Sequence, residues 1–246
     1  MSGHSKWATI KHKKGAADAK RGRIFTKIIK EITVAARQGG PDEEANPRLR
    51  TVVLKAKAAN MPKDNIERAI KKGCGELDGV DYVELSYEAY APGGVGLMIE
   101  VLTDNKNRTA ADVRAILSKG GGQLASSGAV TYLFNRKGII GYEKENCDVD
   151  LLFEAALEAG AEDVIEEDGY IEVLTDPSSF ANVLEALHAA NFEQYSAEVS
   201  LIPDNTVSLG NEATAKVLSL IDRLEDIDDV QSVASNLEIP SDFEMP

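Results

Sequence analysis

The chain has 246 residues, of which 43% are hydrophobic, so it has enough apolar surface for one to three packed domains and is not a disordered polypeptide. Its formal net charge of −14 excludes a uniformly basic protein, and no apolar run approaches the ~18 residues of a membrane span. The N-terminus lacks an apolar signal core, and Cys74 and Cys147 form no paired motif. These features predict a cytoplasmic protein without a disulfide, a zinc site or a membrane segment.

The acidic average conceals a division of charge along the chain. Residues 1–75 hold 18 of the 27 basic residues and 7 of the 41 acidic ones, a net charge of +11. Residues 76–246 hold the other 9 basic and 34 acidic residues, a net charge of −25. A basic segment on an acidic protein favours a polyanionic partner, because phosphates attract clustered lysine and arginine. The alternative is a charged surface that serves only solubility, although such a surface usually mixes both signs.

The first 16 residues are polar and basic and have no helical periodicity, which predicts an arm. A helix is predicted over 17–38, because apolar residues recur there every three or four positions on one side and cations recur on the other side. We expect the cationic side to stay open, so that replacing its cations leaves the core intact. The apolar residues are Phe25, Ile28, Ile29, Ile32 and Ala36, and the cations are Lys20, Arg23, Lys27, Lys30 and Arg37.

Two shorter helices are predicted after this one. Asn46-Pro47 provides an N-cap and a first-turn proline for a helix that runs to about residue 59. Met61-Pro62 opens the next helix, and Gly73 ends it. Residues 1–76 are therefore expected to form a basic arm and a small all-helical domain.

The rest of the chain alternates strand-like and helix-like segments. Strands are predicted at 82–90, 96–104 and 129–135, with a helix at 107–119. From 137 the order becomes β-α-β-β-α-β, which is typical of the ferredoxin-like fold. Its elements are strand 137–143, helix 148–160, strands 162–167 and 169–175, helix 178–190 and strand 193–202.

A last helix at 211–226 and a last strand at 229–235 cannot bury a core alone, so we expect them to return to the first sheet. The predicted fold class is α+β, with an N-terminal all-helical domain followed by two ferredoxin-like α+β domains, the third inserted into the second. The predicted domains are residues 1–76, residues 77–135 with 203–246, and residues 136–202.

Residues with catalytic or metal-binding potential are sparse. The histidines His4, His12 and His188 have no metal-ligand spacing, and no Gly-x-Ser-x-Gly elbow is present. Acidic pairs such as Asp228-Asp229 are interpreted as solvated surface. The sequence therefore predicts a protein that is not an enzyme and uses no cofactor or metal; the alternative is an enzyme whose site has no recognisable signature.

The basic arm and the first helix contain the predicted nucleic-acid-binding residues. Lysine and arginine neutralise phosphates, and Trp7 is expected either to stack on an exposed base or to anchor the arm by packing. No groove-reading motif distinguishes DNA from RNA. The predicted residues are Lys6, Trp7, Lys11, Lys13, Lys14, Lys20, Arg21, Arg23, Lys27 and Lys30.

Lys106 and Arg108 form a predicted secondary phosphate contact. They lie where a strand leads into a helix N-terminus, whose free N–H groups and dipole attract anions. The alternative is ordinary N-capping by Asn105 or Asn107.

Several motifs are spread over nearly the whole chain. They include Gly3-His4-Ser5-Lys6-Trp7, Lys11-His12-Lys13-Lys14, Asn46-Pro47-Arg48-Leu49-Arg50, Thr103-Asp104-Asn105-Lys106-Asn107-Arg108-Thr109 and Asp228-Asp229-Val230-Gln231. These motifs resemble those of the YebC/PmpR family, although Ala89 and Ala91 stand where glycine is expected. The resemblance implies three domains, the third inserted into the second, and a cytoplasmic regulator of transcription that binds DNA. Some relatives are translation factors at the ribosome instead.

The expected function is a non-enzymatic, DNA-binding regulator of transcription that grips phosphates with its basic arm and first helix. The acidic α+β domains are expected to face away from the nucleic acid and to offer a surface for a protein partner. One alternative is a ribosome-associated translation factor that grips ribosomal RNA with the same residues, since shape and phosphate recognition suffice on folded RNA. Another is a protein-interaction scaffold.

Overall fold

The computed structural model describes residues 18–167, 169–240 and 243, and for residues 18–21 it describes the backbone only. The predicted arm at 1–16 lies outside these residues. Helices come first and two mixed helix-and-sheet units follow, which confirms the predicted α+β class with an N-terminal all-helical domain. Within the described residues, no helix is long and apolar enough to cross a membrane.

The helices and longer strands lie within a few residues of most predicted positions. The helices are α1 (Asp18–Gly39), α2 (Pro47–Ala58), α3 (Lys63–Gly73), α4 (Lys106–Lys119), α5 (Val149–Glu158), α6 (Phe180–Ala189) and α7 (Asn211–Glu225). The strands are β1 (Val83–Ala91), β2 (Val95–Thr103), β3 (Gln123–Leu124), β4 (Phe134–Glu143), β5 (Asp163–Glu167), β6 (Tyr170–Thr175), β7 (Ser196–Pro203), β8 (Val207–Ser208), β9 (Val230–Ser235) and β10 (Leu237–Glu238).

The N-terminal helices pack around the apolar stripe of α1. Ile28 and Ile32 are buried there against apolar residues of α2 and α3. Asn46 caps α2 by accepting a hydrogen bond from the Leu49 N–H at 3.0 Å, and its own amide donates to the Ala35 carbonyl at 2.9 Å. This one side chain therefore starts α2 and also ties it to the end of α1.

The first sheet has the strand order β3-β1-β2-β9, with antiparallel neighbours. Helices α4 and α7 contribute to one apolar core with these strands. Because β9 pairs with β2 although a second sheet lies between them in the chain, the polypeptide leaves the first sheet after β3 and returns to it with α7 and β9.

The second sheet has the order β5-β6-β4-β7, again antiparallel, and is covered by α5 and α6. This is the strand order of a ferredoxin-like β-α-β-β-α-β unit. The first sheet has a different order, because its hairpin β1–β2 occupies the centre of the sheet and not an edge. Each of the two units therefore has four antiparallel strands and two helices, but the order of the strands differs between them.

The strand predicted at 129–135 is wrong. Residues Thr131–Leu133 form a 3-10 turn, and β4 begins only at Phe134 and then runs without interruption to Glu143. The side chain of Glu88 explains the turn. Its carboxylate accepts the N–H groups of Gly128 at 2.6 Å, Val130 at 2.7 Å and Thr131 at 3.0 Å, so these groups do not form a ladder with another strand.

Glu88→Ala is expected to lower the free energy of unfolding by about 2–3 kcal/mol at neutral pH, because it leaves the buried N–H of Val130 and the part-buried N–H groups of Gly128 and Thr131 without their acceptor. Burial alone would raise the pKa of the Glu88 carboxyl, but the N–H groups of Val130, Gly128 and Thr131 outweigh it and lower that pKa to about 2. The stabilisation is therefore present above the ordinary pKa of 4.5 and is lost as the pH falls from there towards 2.

Urea unfolding at several pH values tests this expectation. The exposed Glu154→Ala change on α5 is the control, and it is expected to alter stability by less than about 0.5 kcal/mol. A difference between wild type and Glu88→Ala that did not shrink in acid would contradict the assigned role.

Candidate nucleic-acid interface

The predicted nucleic-acid-binding residues fall into two groups. Those of the first group lie outside the described side chains, so their role stays a prediction. They are Lys6, Trp7, Lys11, Lys13 and Lys14 of the arm, and Lys20 and Arg21 in the first turn of α1. The second group consists of Arg23, Lys27 and Lys30, whose contacts the structure shows.

The second group contacts an acidic turn, residues 225–229, which joins α7 to β9. Lys27 Nζ donates to the Glu225 carbonyl at 2.7 Å, and Arg23 forms an ion pair with Asp226. Lys30 Nζ donates to the Asp228 carbonyl at 2.9 Å. The expectation that this side of α1 stays open is therefore wrong, since the second domain covers it.

Lys30 is the most enclosed of these cations, with 7% of its surface exposed. Its ammonium donates to Asp229 Oδ1 at 2.8 Å and lies 5.4 Å from the ring centroid of Tyr82. A buried ammonium needs such partners, because removal from water disfavours the charge. The structure therefore gives Lys30 a place in the packing between the domains, and its replacement is expected to affect the fold.

Asp229 joins three elements at one buried carboxylate. While Oδ1 binds Lys30, Oδ2 accepts from Thr103 at 3.1 Å, Thr109 at 2.8 Å and Arg108 at 2.7 Å. Burial alone would raise the pKa of Asp229, but these hydrogen bonds and the charge of Lys30 hold it well below its ordinary range. Asp229 is therefore a buried, ionised link between α1, the end of β2 and the start of α4.

The interpretation of Asp228-Asp229 as solvated surface is thus wrong for Asp229. Sequence reasoning missed this residue because nothing local distinguishes it from its exposed neighbour Asp228. One signal was available, since both residues belong to a stretch that resembles a family motif.

The N-terminus of α4 contains the predicted secondary phosphate contact. Asn105 caps the helix, since its side chain accepts the Arg108 N–H at 3.1 Å, in agreement with the N-capping alternative. The Arg108 guanidinium donates to Asp229 and to Asp104, both at 2.7 Å, and these bonds raise its pKa. Arg108 is therefore already paired with two carboxylates, which compete with a phosphate for its guanidinium. Lys106 is exposed, and its contact with phosphate stays a prediction.

One cleft, of about 970 Å³, is lined by residues of all three units. Its cations are balanced by carboxylates, as in the pairs Arg48–Glu84, Lys55–Glu31 and Arg136–Glu100. A cleft with this balance has no strong preference for an anion. Within the described residues, no group of three or more His, Cys, Asp or Glu side chains is placed to hold a metal ion.

Comparison with known proteins connects this architecture to a family. Residues 5–76 match the family described as the TACO1/YebC protein N-terminal domain, and residues 82–237 match the TACO1/YebC second and third domain. The chain belongs to the TACO1/YebC family.

Relatives in this family resemble the chain over their full length. A "Probable transcriptional regulatory protein" of Treponema denticola is 65% identical over 246 residues, which cover 100% of both chains. A protein of the same description from Trichlorobacter lovleyi is 59% identical over 98% of both chains. The crystal structure of a conserved hypothetical protein from Aquifex aeolicus is 47% identical, with a TM-score of 0.82 over 92% of this chain and 93% of that one. The TACO1/YebC assignment therefore rests on sequence and fold together.

Proposed function

We propose that this protein is a cytoplasmic, non-enzymatic regulator of transcription that binds DNA through its basic N-terminal part. The observation that carries the proposal is the division of charge, +11 in residues 1–75 against −25 in residues 76–246. A phosphate backbone is attracted by the first part and repelled by the second, so the protein presents one end to a polyanion. The description of the relatives as transcriptional regulatory proteins supports the same role.

The contacts of α1 alter how this binding works. Arg23, Lys27 and Lys30 hold the acidic turn, so a phosphate that approached them would meet Asp226 and the carbonyl groups of that turn. The grip on nucleic acid is therefore assigned mainly to the arm and to the first turn of α1. The described cations of α1 instead orient the helical domain on the second domain.

Binding to duplex DNA is expected to be steeply salt-dependent. If ~5–8 phosphates are neutralised, the slope of log K against log salt concentration will be about −4.5 to −7, because each neutralised phosphate releases condensed counterions. Fluorescence anisotropy with a labelled duplex between 50 and 300 mM salt measures the slope (roughly the range in which such complexes weaken). A slope near zero on both the duplex and a structured RNA would overturn the proposal.

Crosslinking in cells, followed by sequencing of bound DNA and bound RNA, tests the biological target. Enrichment of promoter DNA supports regulation of transcription. Enrichment of ribosomal RNA without promoter DNA would replace it with the ribosome-associated alternative, in which the same phosphates are recognised on folded RNA.

A further inference from the structure

The cations of the helical domain are not equivalent. The structure describes the side chains of twelve basic residues between positions 22 and 75. Nine of them have an anionic or carbonyl partner among the described residues. These nine are Arg23, Lys27, Lys30, Arg37, Arg48, Arg50, Lys55, Lys57 and Lys63, with partners Asp226, the Glu225 carbonyl, Asp229, Asp81, Glu84, Glu44, Glu31, Glu43 and Glu67.

The other three cations, Arg68, Lys71 and Lys72, all lie on α3. None of them forms an ion pair with a described residue. Arg68 and Lys71 are exposed, and Lys72 is partly exposed. The acidic residues of α3 itself, Asp64 and Glu67, stand four positions before Arg68 and Lys71, but Glu67 pairs with Lys63 and neither forms an ion pair with the three cations. Glu76 and Asp78, which follow α3, do not pair with them either.

The three side chains share one face of α3. Lys71 and Lys72 follow Arg68 by three and four positions, which makes all three neighbours on the helix surface. The opposite face is buried through Ile66, Ala69 and Gly73. At Gly73 a Cβ atom would collide with the Thr33 carbonyl of α1, so α3 packs closely against α1 on this side. Its cationic face is therefore directed away from α1.

Helix stability alone does not explain this cluster. Cations in the last turn of a helix interact favourably with its dipole, which accounts for Lys71 and Lys72. The dipole effect fades within that turn, however, and Arg68 and Lys72 are like charges at i and i+4, which repel each other. An external anion relieves this repulsion.

We propose that Arg68, Lys71 and Lys72 form a phosphate-binding face on α3, and that this face lies against the nucleic-acid backbone together with the arm and the first turn of α1, in place of Arg23, Lys27 and Lys30. This inference rests on the proposed function and identifies which surface of the helical domain carries it out. The ligand chemistry is a phosphodiester backbone, which duplex DNA and folded RNA share, so both are tested.

The experiment compares three forms of the full-length chain by anisotropy on a labelled DNA duplex and on a ribosomal RNA fragment. The first combines Arg68→Gln, Lys71→Gln and Lys72→Gln. The second, Arg114→Gln with Lys119→Gln and Lys216→Gln, removes the same charge from exposed positions of the second domain. The third keeps the charge of the face through Arg68→Lys, Lys71→Arg and Lys72→Arg.

The first form is expected to bind at least about tenfold more weakly at 0.1 M salt, with a slope flatter by about 2–3, because each lost phosphate contact removes about 0.9 from it. The second form is expected to change affinity less than about threefold, and the third to bind like wild type. Thermal melting of all three checks that the fold is retained.

Equal behaviour of the first and second forms would overturn the α3 assignment and leave the proposed function standing. A wild-type chain that bound neither nucleic acid would overturn the proposed function and this inference together. A loss on DNA alone or on RNA alone would support the face and identify which backbone it contacts.

Discussion

Asp229→Ala is expected to lower the free energy of unfolding by about 3–5 kcal/mol, because it leaves the buried ammonium of Lys30 without its carboxylate. The same change removes the acceptor of Thr103 and Thr109, whose hydroxyl groups are also buried. The loss is measured as the shift of the urea unfolding midpoint, followed by far-ultraviolet circular dichroism.

The chain offers a matched control for this change on the same turn. Asp226 pairs with Arg23, but 64% of its side chain and 42% of the arginine side chain are exposed. Asp226→Ala is therefore expected to cost less than about 1 kcal/mol, since water screens an exposed ion pair. Similar losses for Asp226→Ala and Asp229→Ala would show that Asp229 is not the buried link between the domains.

A double change separates the pair from its surroundings. Lys30→Met combined with Asp229→Ala is expected to be less destabilising than the sum of the two single changes, because neither partner remains as an unpaired buried charge. Strict additivity would mean that the two residues act independently, contrary to their 2.8 Å contact.

Neutralising the arm is expected to have the largest effect on binding. Lys6→Gln, Lys11→Gln, Lys13→Gln and Lys14→Gln together are expected to weaken duplex binding by about three orders of magnitude at 0.1 M salt, if each lysine contacts one phosphate. The slope of log K against log salt is expected to become flatter by about 3.6. Anisotropy over a salt series measures both quantities.

The control for the arm is the quadruple lysine-to-arginine variant, which keeps the charge and is expected to retain the affinity. Melting curves recorded in parallel separate lost contacts from lost structure. If the neutralised variant bound as tightly as wild type, the arm would not be part of the interface, and binding would depend on the described helices alone.

Local sequence patterns were sufficient for most of the secondary structure. The three-and-four spacing of Ile28 and Ile32 predicted α1, and Asn46-Pro47 correctly marked the start of α2. The element order from 137 onward predicted the strand order of the second sheet, because a β-α-β-β-α-β chain has few ways to bury its helices on one face.

One local prediction failed where a distant side chain intervenes. Residues 129–133 have a strand-like composition, but Glu88 on β1 binds their N–H groups and holds them in a turn. The central place of the β1–β2 hairpin also depends on pairing with β9, which lies more than a hundred residues further along the chain.

For the candidate site, the sequence by itself determined the division of charge and the two opposite faces of α1, because both depend on residue type and helical period alone. Only the tertiary structure decided what each cationic face contacts. Lys30 and Asp229 are 199 positions apart, and no periodicity reaches over that distance. Ion pairs form between surfaces that folding brings together, and this contact takes up the cationic face of α1. Arg68, Lys71 and Lys72 of α3 face no such surface among the described residues.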